Sequence, residues 1–218
     1  KIYFYFVVFI LSSTIINLDI KNFVKRNFVI NEINIKIKTL DIKNIIELET
    51  KYLINNNIFF INQELLLSKL KSLKFLENIK IQKKYPSTIS IRANKTDLIG
   101  ITFIDQKKFY VGRNGNFISK NLISTKNNLP TIFGKFLIND FILLNKELKR
   151  QNFNLNKIEK YYFHKNKRWD IYLESNILIK LPNKNYKQAI KIYNEFIKSN
   201  PIKKNTLIDL RIEKRLIL

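Results

Sequence analysis

The chain has 218 residues, with Lys and Arg numbering 40 against 17 Asp and Glu, a net charge of +23 and no cysteine. Hydrophobic residues make up 45% and charged residues 26%, a globular balance that excludes a disordered chain, and the length allows one or two domains, each burying its own core. The lack of cysteine excludes a disulfide framework, a thiol nucleophile and cysteine metal sites.

Residues 2–18, IYFYFVVFILSSTIINL, carry no charge. As a helix they would be roughly 25 Å long, close to the ~30 Å of a bilayer's hydrocarbon core. Tyr3 and Tyr5 suit an interfacial belt, and apolar side chains surround every face. No small-x-small cleavage pattern follows, so the expectation over 1–18 is a single-pass transmembrane anchor, not a removed signal. The polar, basic stretch 19–27 reads as a juxtamembrane linker.

From Phe28 onward, Ile33, Ile35 and Ile37 alternate as a strand does. Asp41 is expected to cap a helix carrying Ile42, Ile45, Ile46, Tyr52 and Leu53 on one side, and Asn55, Asn56 and Asn57 break it. Asn62 is placed to cap a second helix with Leu66, Leu70 and Leu73 at helical spacing. The period then changes to two: Ile79 and Ile81 before the Tyr85-Pro86 turn, Ile89 and Ile91 after it. The order over 28–95 is therefore β-α-α-β-β, a three-stranded sheet with two helices on one face.

A strand-rich region follows over 96–218. LIGITFI, KKFYVG and FIS are strands, with a turn over Arg113, Asn114, Gly115 and Asn116. Phe141, Leu144 and Leu148 mark a helix, and Trp169, Ile171 and Leu173 share one face of a hairpin whose return strand carries Ile177, Ile179 and Leu181, with a turn at Ser175-Asn176. Tyr186, Ala189, Ile190, Tyr193, Phe196 and Ile197 form an amphipathic helix stopped at Asn200-Pro201. The last strand alternates Ile208, Leu210 and Ile212 against Asp209, Arg211 and Glu213. Pro86, Pro130, Pro182 and Pro201 all fall at element ends.

Catalytic chemistry is not visible. The single histidine, His164, is too few for a triad or a histidine metal site. Gly100, Gly112, Gly115 and Gly134 make no phosphate loop. Asp170 and Glu174 are read as the solvated side of a strand, and Asp209 with Arg211 as an outer-face pair. The basic neighbours of Phe109, Tyr110, Tyr161 and Tyr162 raise nucleobase stacking as a possibility, but aromatics at strand spacing first fill a core. The lysines are scattered, without one dense tract, and the abundance of Ile and Asn beside them points to an AT-rich coding sequence before an anionic partner.

The order of these parts resembles the bacterial FtsQ/DivIB cell-division family. NIFFINQELLLSKLKSLKFLENIKIQKKYPSTISIR resembles the core of a POTRA domain, with Phe60, Ile61, Leu66, Leu70, Leu73, Tyr85 and Pro86 at the matching places. FYVGRNGNFIS, LPTIFG, RWDIYLESNILIKLP and LIDLRI resemble, in order, the segments of that family's β domain. The resemblance implies an α+β protein: a transmembrane helix over 1–18, a linker over 19–27, a POTRA domain over 28–95 and a β domain over 96–218, mainly antiparallel with flanking helices. It implies a non-enzymatic divisome scaffold without cofactor, metal, nucleic acid or small-molecule substrate. Such a protein sits in the inner membrane with its bulk in the periplasm at the division septum. Its partners would be FtsB- and FtsL-like coiled-coil proteins, held by strand addition at the last strand through Asp209, Leu210, Arg211 and Ile212, with Arg168 and Trp169 assisting. Other septal proteins would meet the POTRA domain. The competing functions are another POTRA-bearing component of outer-membrane assembly or secretion, and a membrane-tethered nucleic-acid binder.

Overall fold

Hydrophobic period decides which element each segment becomes, and the computed structural model shows this over residues 2–13, 24, 26–123, 125, 128–212 and 215–217. The first helix, α1 (Ile2–Ser13), has 12 residues and is apolar on all sides, which makes it roughly 18 Å long. Among the described residues no helix is long and apolar enough to cross a membrane. Residues 14–18 of the expected anchor, and most of 19–27, lie outside the described residues. The chain divides into two compact units, Lys1–Lys95 and Thr96–Leu218.

In the first unit, β1 (Glu32–Lys36) is followed by α2 (Leu40–Thr50), α3 (Gln63–Lys71), β2 (Leu76–Lys84) and β3 (Thr88–Lys95). The sheet order is β1-β3-β2, with β1 parallel and β2 antiparallel to β3. Register aligns Ile35, Ile91 and Ile81 in one row. Ile89, Ile91 and Ala93, all buried, face the same way, and Ile42, Ile46, Leu66 and Leu70 from the two helices are buried with them. The α3 cap is as expected: Asn62 Oδ1 accepts from Glu64 N at 2.9 Å and Leu65 N at 3.0 Å. The Tyr85-Pro86 peptide in the β2–β3 turn is cis.

Three local expectations are corrected. Asp41 is not the cap of α2: Thr39 holds that position, without a side-chain bond, and Asp41 lies in the first turn, where its charge faces the positive helix end. Tyr52 is exposed, not core, and lies under Lys69, whose Nζ is 4.4 Å from the ring centroid. The buried position falls to Thr50, whose hydroxyl is satisfied by donating to Ile46 O at 2.7 Å. Leu73 lies past the end of α3.

The second unit is built on β4 (Leu98–Ile104), β5 (Lys107–Gly112), β6 (Phe117–Ser119), β7 (Thr131–Phe133), β8 (Ile158–Phe163), β9 (Trp169–Leu173), β10 (Ile177–Lys180) and β11 (Leu207–Asp209). Two helices accompany them, α4 (Ile138–Arg150) and α5 (Tyr186–Ser199). The sheet order is β11-β10-β9-β8-β7-β4-β5-β6. It is a mixed sheet: the antiparallel blocks β8-β9-β10 and β4-β5-β6 are joined through β7, which runs parallel to both neighbours, and β11 is parallel to β10. The β7 crossovers are what the sequence reading of a mainly antiparallel domain lacked.

One row of the sheet, Ile132, Tyr161, Ile171, Ile179 and Ile208, is wholly core. Phe141, Leu144 and Leu148 of α4 and Ala189, Ile190 and Tyr193 of α5 close over it. Trp169 is fully buried there, its ring 4.8 Å from Phe163 and 5.7 Å from both Phe136 and Phe141. After β7 the chain turns at Gly134 (φ +99), where a β-carbon would stand 2.2 Å from the Phe163 carbonyl oxygen, so only glycine fits.

Candidate strand-docking edge

β11 is the outermost strand of the large sheet, held on one side by β10 alone. Its inner bonds run from Leu178 N to Thr206 O and from Leu210 N to Lys180 O, each 2.9 Å. Alternation therefore turns the main-chain groups of Leu207 and Asp209 away from β10. The strand is shorter than the sequence alternation implies: it ends at Asp209, and Leu210, Arg211 and Ile212 continue beyond the regular ladder. Leu210 is buried, whereas Arg211 and Ile212 are exposed.

The face opposite the core carries charge at this end. Register places Asp170 of β9, Lys180 of β10 and Asp209 of β11 in one row, next to Tyr162 and Phe133, whose rings stack at 4.7 Å. Arg211 doubles back on Asp209, with Nε 2.8 Å from both carboxylate oxygens and the Arg211 N–H donating to Oδ1 at 3.0 Å. The side-chain hydrogen bond from Arg211 is the main reason Asp209 is held below its ordinary carboxylate range; partial burial opposes it, and the positive charges of Arg211 and Lys180 reinforce it. Arg211 also feels the charge of Asp170.

Asp170 is not on a solvated side. It is 5% exposed, with its Oδ2 2.7 Å from His164 Nε2 and its Oδ1 3.4 Å from Arg168 Nε. Glu174 lies past the end of β9 and does not join it. Beside the edge, Pro182, Ala189, Ile192, Leu210, Arg211 and Ile212 line a recess of about 190 Å³.

Of the expected partner-binding residues, Asp209, Leu210, Arg211 and Ile212 thus cluster at one margin of the sheet. Trp169 opens β9, two strands inward, and Arg168 immediately precedes it. Trp169 is a core residue with no exposed surface, and Arg168 is mostly covered and turned to Asp170. Lys180 and Asp170 were missed as members of the row. Their only sequence signal is strand alternation, which shows a shared face and not which strands adjoin.

Residues 103–211 match the family model described as cell division protein FtsQ/DivIB, C-terminal, and residues 25–94 match the POTRA domain, FtsQ-type. The cell division protein FtsQ of Rickettsia bellii (strain RML369-C) is 28% identical over 153 residues, covering 67% of this chain and 55% of that protein. FtsQ of Rickettsia typhi (strain ATCC VR-144 / Wilmington) is 29% identical over 162 residues, covering 72% and 60%. FtsQ of Agrobacterium fabrum (strain C58 / ATCC 33970) is 25% identical over 124 residues, covering 57% and 39%. The chain spans a little over half the length of the first curated relatives it matches. The solved major extracytoplasmic domain of DivIB from Geobacillus stearothermophilus is 13% identical, with a TM-score of 0.33, covering 50% of this chain and 98% of that one.

Proposed function

The chain belongs to the FtsQ/DivIB family of cell division proteins, and from that membership we propose that it is a non-enzymatic scaffold of the divisome. In this reading it holds FtsB- and FtsL-like coiled-coil partners by strand addition at the outer edge of β11. The observation that supports the edge most directly is the place of β11 at the end of the sheet, with Leu207 and Asp209 turned outward. A sheet margin of this kind can present its outward main-chain groups to an extended segment, and the recess next to it can receive a side chain. The POTRA unit meets other septal proteins. A transmembrane anchor over 1–18, followed by a linker over 19–27, keeps the units over 28–95 and 96–218 in the periplasm at the inner membrane, within the septum.

Co-purification from membranes, followed by mass spectrometry, tests this. The tagged full chain recovers small single-span coiled-coil proteins. Leu207→Pro removes an outward N–H that β10 does not use, so it lowers that recovery while the Leu178 and Leu210 amides stay protected from exchange. Undiminished recovery with Leu207→Pro would show that the partner binds elsewhere.

A further inference from the structure

The outer side of β11 is not bare. Asp209 donates its N–H to the Ile217 carbonyl at 2.8 Å and accepts the Ile217 N–H at 3.1 Å, the reciprocal exchange of an antiparallel pair. Arg215 N donates to Ile212 O at 3.2 Å where the chain returns, and Leu216 packs against the core of the second unit. The next outward amide, that of Arg211, donates to the Asp209 carboxylate. Outward positions 209 and 211 thus have partners within the chain itself. The match to the family's C-terminal model stops at Arg211, so the returning segment lies beyond the matched region.

We infer that residues 215–217 are a resident cap on the edge of β11, and that a partner strand binds by displacing them. The partner half of this inference rests on the strand-addition reading above; the cap stands on the hydrogen bonds alone. An uncovered edge invites pairing between copies, and two ladder bonds are enough to close it. They are also few enough to be exchanged. A cap held by two bonds, each worth a factor of a few, lowers the apparent affinity for an incoming strand by about tenfold.

The test is amide hydrogen exchange, read by NMR on the full chain in detergent micelles, for wild type and Ile217→Pro. The substitution removes the N–H that Asp209 accepts. The Asp209 amide is expected to exchange about tenfold faster, while the Leu178 and Leu210 amides keep their protection and so report an intact β10–β11 pair. The coiled-coil partner recovered in the co-purification is expected to bind about tenfold tighter to Ile217→Pro. Equal exchange at Asp209 in both proteins overturns the cap, whatever the partner does. Faster exchange at Asp209 with unchanged partner binding leaves the cap in place and overturns displacement, and strand addition at this edge with it. Should Ile217→Pro disturb Leu178 and Leu210 as well, the chain stopped after Ile212 takes its place, with the synthetic peptide IEKRLIL (residues 212–218) as probe. The peptide restores slow exchange at Asp209 if the cap is real; failure to do so overturns it.

Discussion

Arg211 binds the carboxylate of Asp209 from two residues away, with its Nε 2.8 Å from both oxygens, and so favours the ionised form of that carboxylate. The same carboxylate also accepts the Arg211 N–H at 3.0 Å, so the pair occupies the outward amide that follows Asp209.

The pair also sets a pH dependence. The folded pKa of Asp209 is depressed from 3.8, chiefly by the Arg211 hydrogen bond, so its contribution to stability is complete above the unfolded value and is lost as the pH falls through the folded one. With Arg211 partly exposed, the contribution is small, at most about 1 kcal/mol. Urea midpoints of wild type and Asp209→Asn are expected to differ by a constant amount near neutral pH and to converge below about pH 3.8. A gap that stays constant down to pH 2.5 would show that the carboxylate charge is irrelevant.

Trp169 supports the core. Truncation to alanine removes a fully buried ring packed against Phe136, Phe141 and Phe163, and is expected to cost about 3–5 kcal/mol in guanidinium unfolding of the chain. Trp169→Phe keeps most of that packing and removes an indole N–H that has no hydrogen-bond partner, so its cost is expected to be less than half as large. The decisive measurement is partner recovery with Trp169→Phe, expected to equal wild type. A selective loss of partner with normal stability would restore Trp169 to the interface.

How far the sequence carried this fold depends on the kind of signal. Asn62, Ile89 and Ile91, and Phe141, Leu144 and Leu148 were all legible, because a cap or a period is local and the burial it implies is the one observed. Period alone could not separate Trp169 as core from Trp169 as interface, because alternation names a face without saying what covers it. Asp170 was misread for the same reason: His164 and Arg168 come over it from the preceding turn and strand end, which no pattern in β9 announces. The parallel pairing of β7 with β4 and β8 was hidden because it joins segments distant in sequence, and β7 itself is only three residues long. The return of Ile217 to Asp209 was hidden because the alternation of Ile208, Leu210 and Ile212 reads as a strand continuing past Asp209, whereas the strand stops there.

Lys180 adds a favourable charge beside Asp209. Register sets it opposite Asp170 on β9 and opposite Asp209 on β11, so one basic residue stands in register between two acidic ones across three adjacent strands. Cross-strand pairs of opposite charge contribute roughly 0.2–1 kcal/mol each, and like charges directly opposite destabilise. Lys180→Met is expected to remove the attraction, and Lys180→Glu to replace it with repulsion on both sides, giving an order of thermal stability of wild type, then Lys180→Met, then Lys180→Glu. The effect is local: in Lys180→Glu the Leu210 amide, which donates to the residue-180 carbonyl, exchanges faster, whereas the His164 amide, bonded to Arg168 O at 3.0 Å, is less affected. Raising salt to about 1 M, where the screening length is about 3 Å, narrows the gap between the Met and Glu variants. If the two variants unfold together at low salt, side-chain packing and not charge is what Lys180 supplies, and the row across β9, β10 and β11 does not anchor the edge.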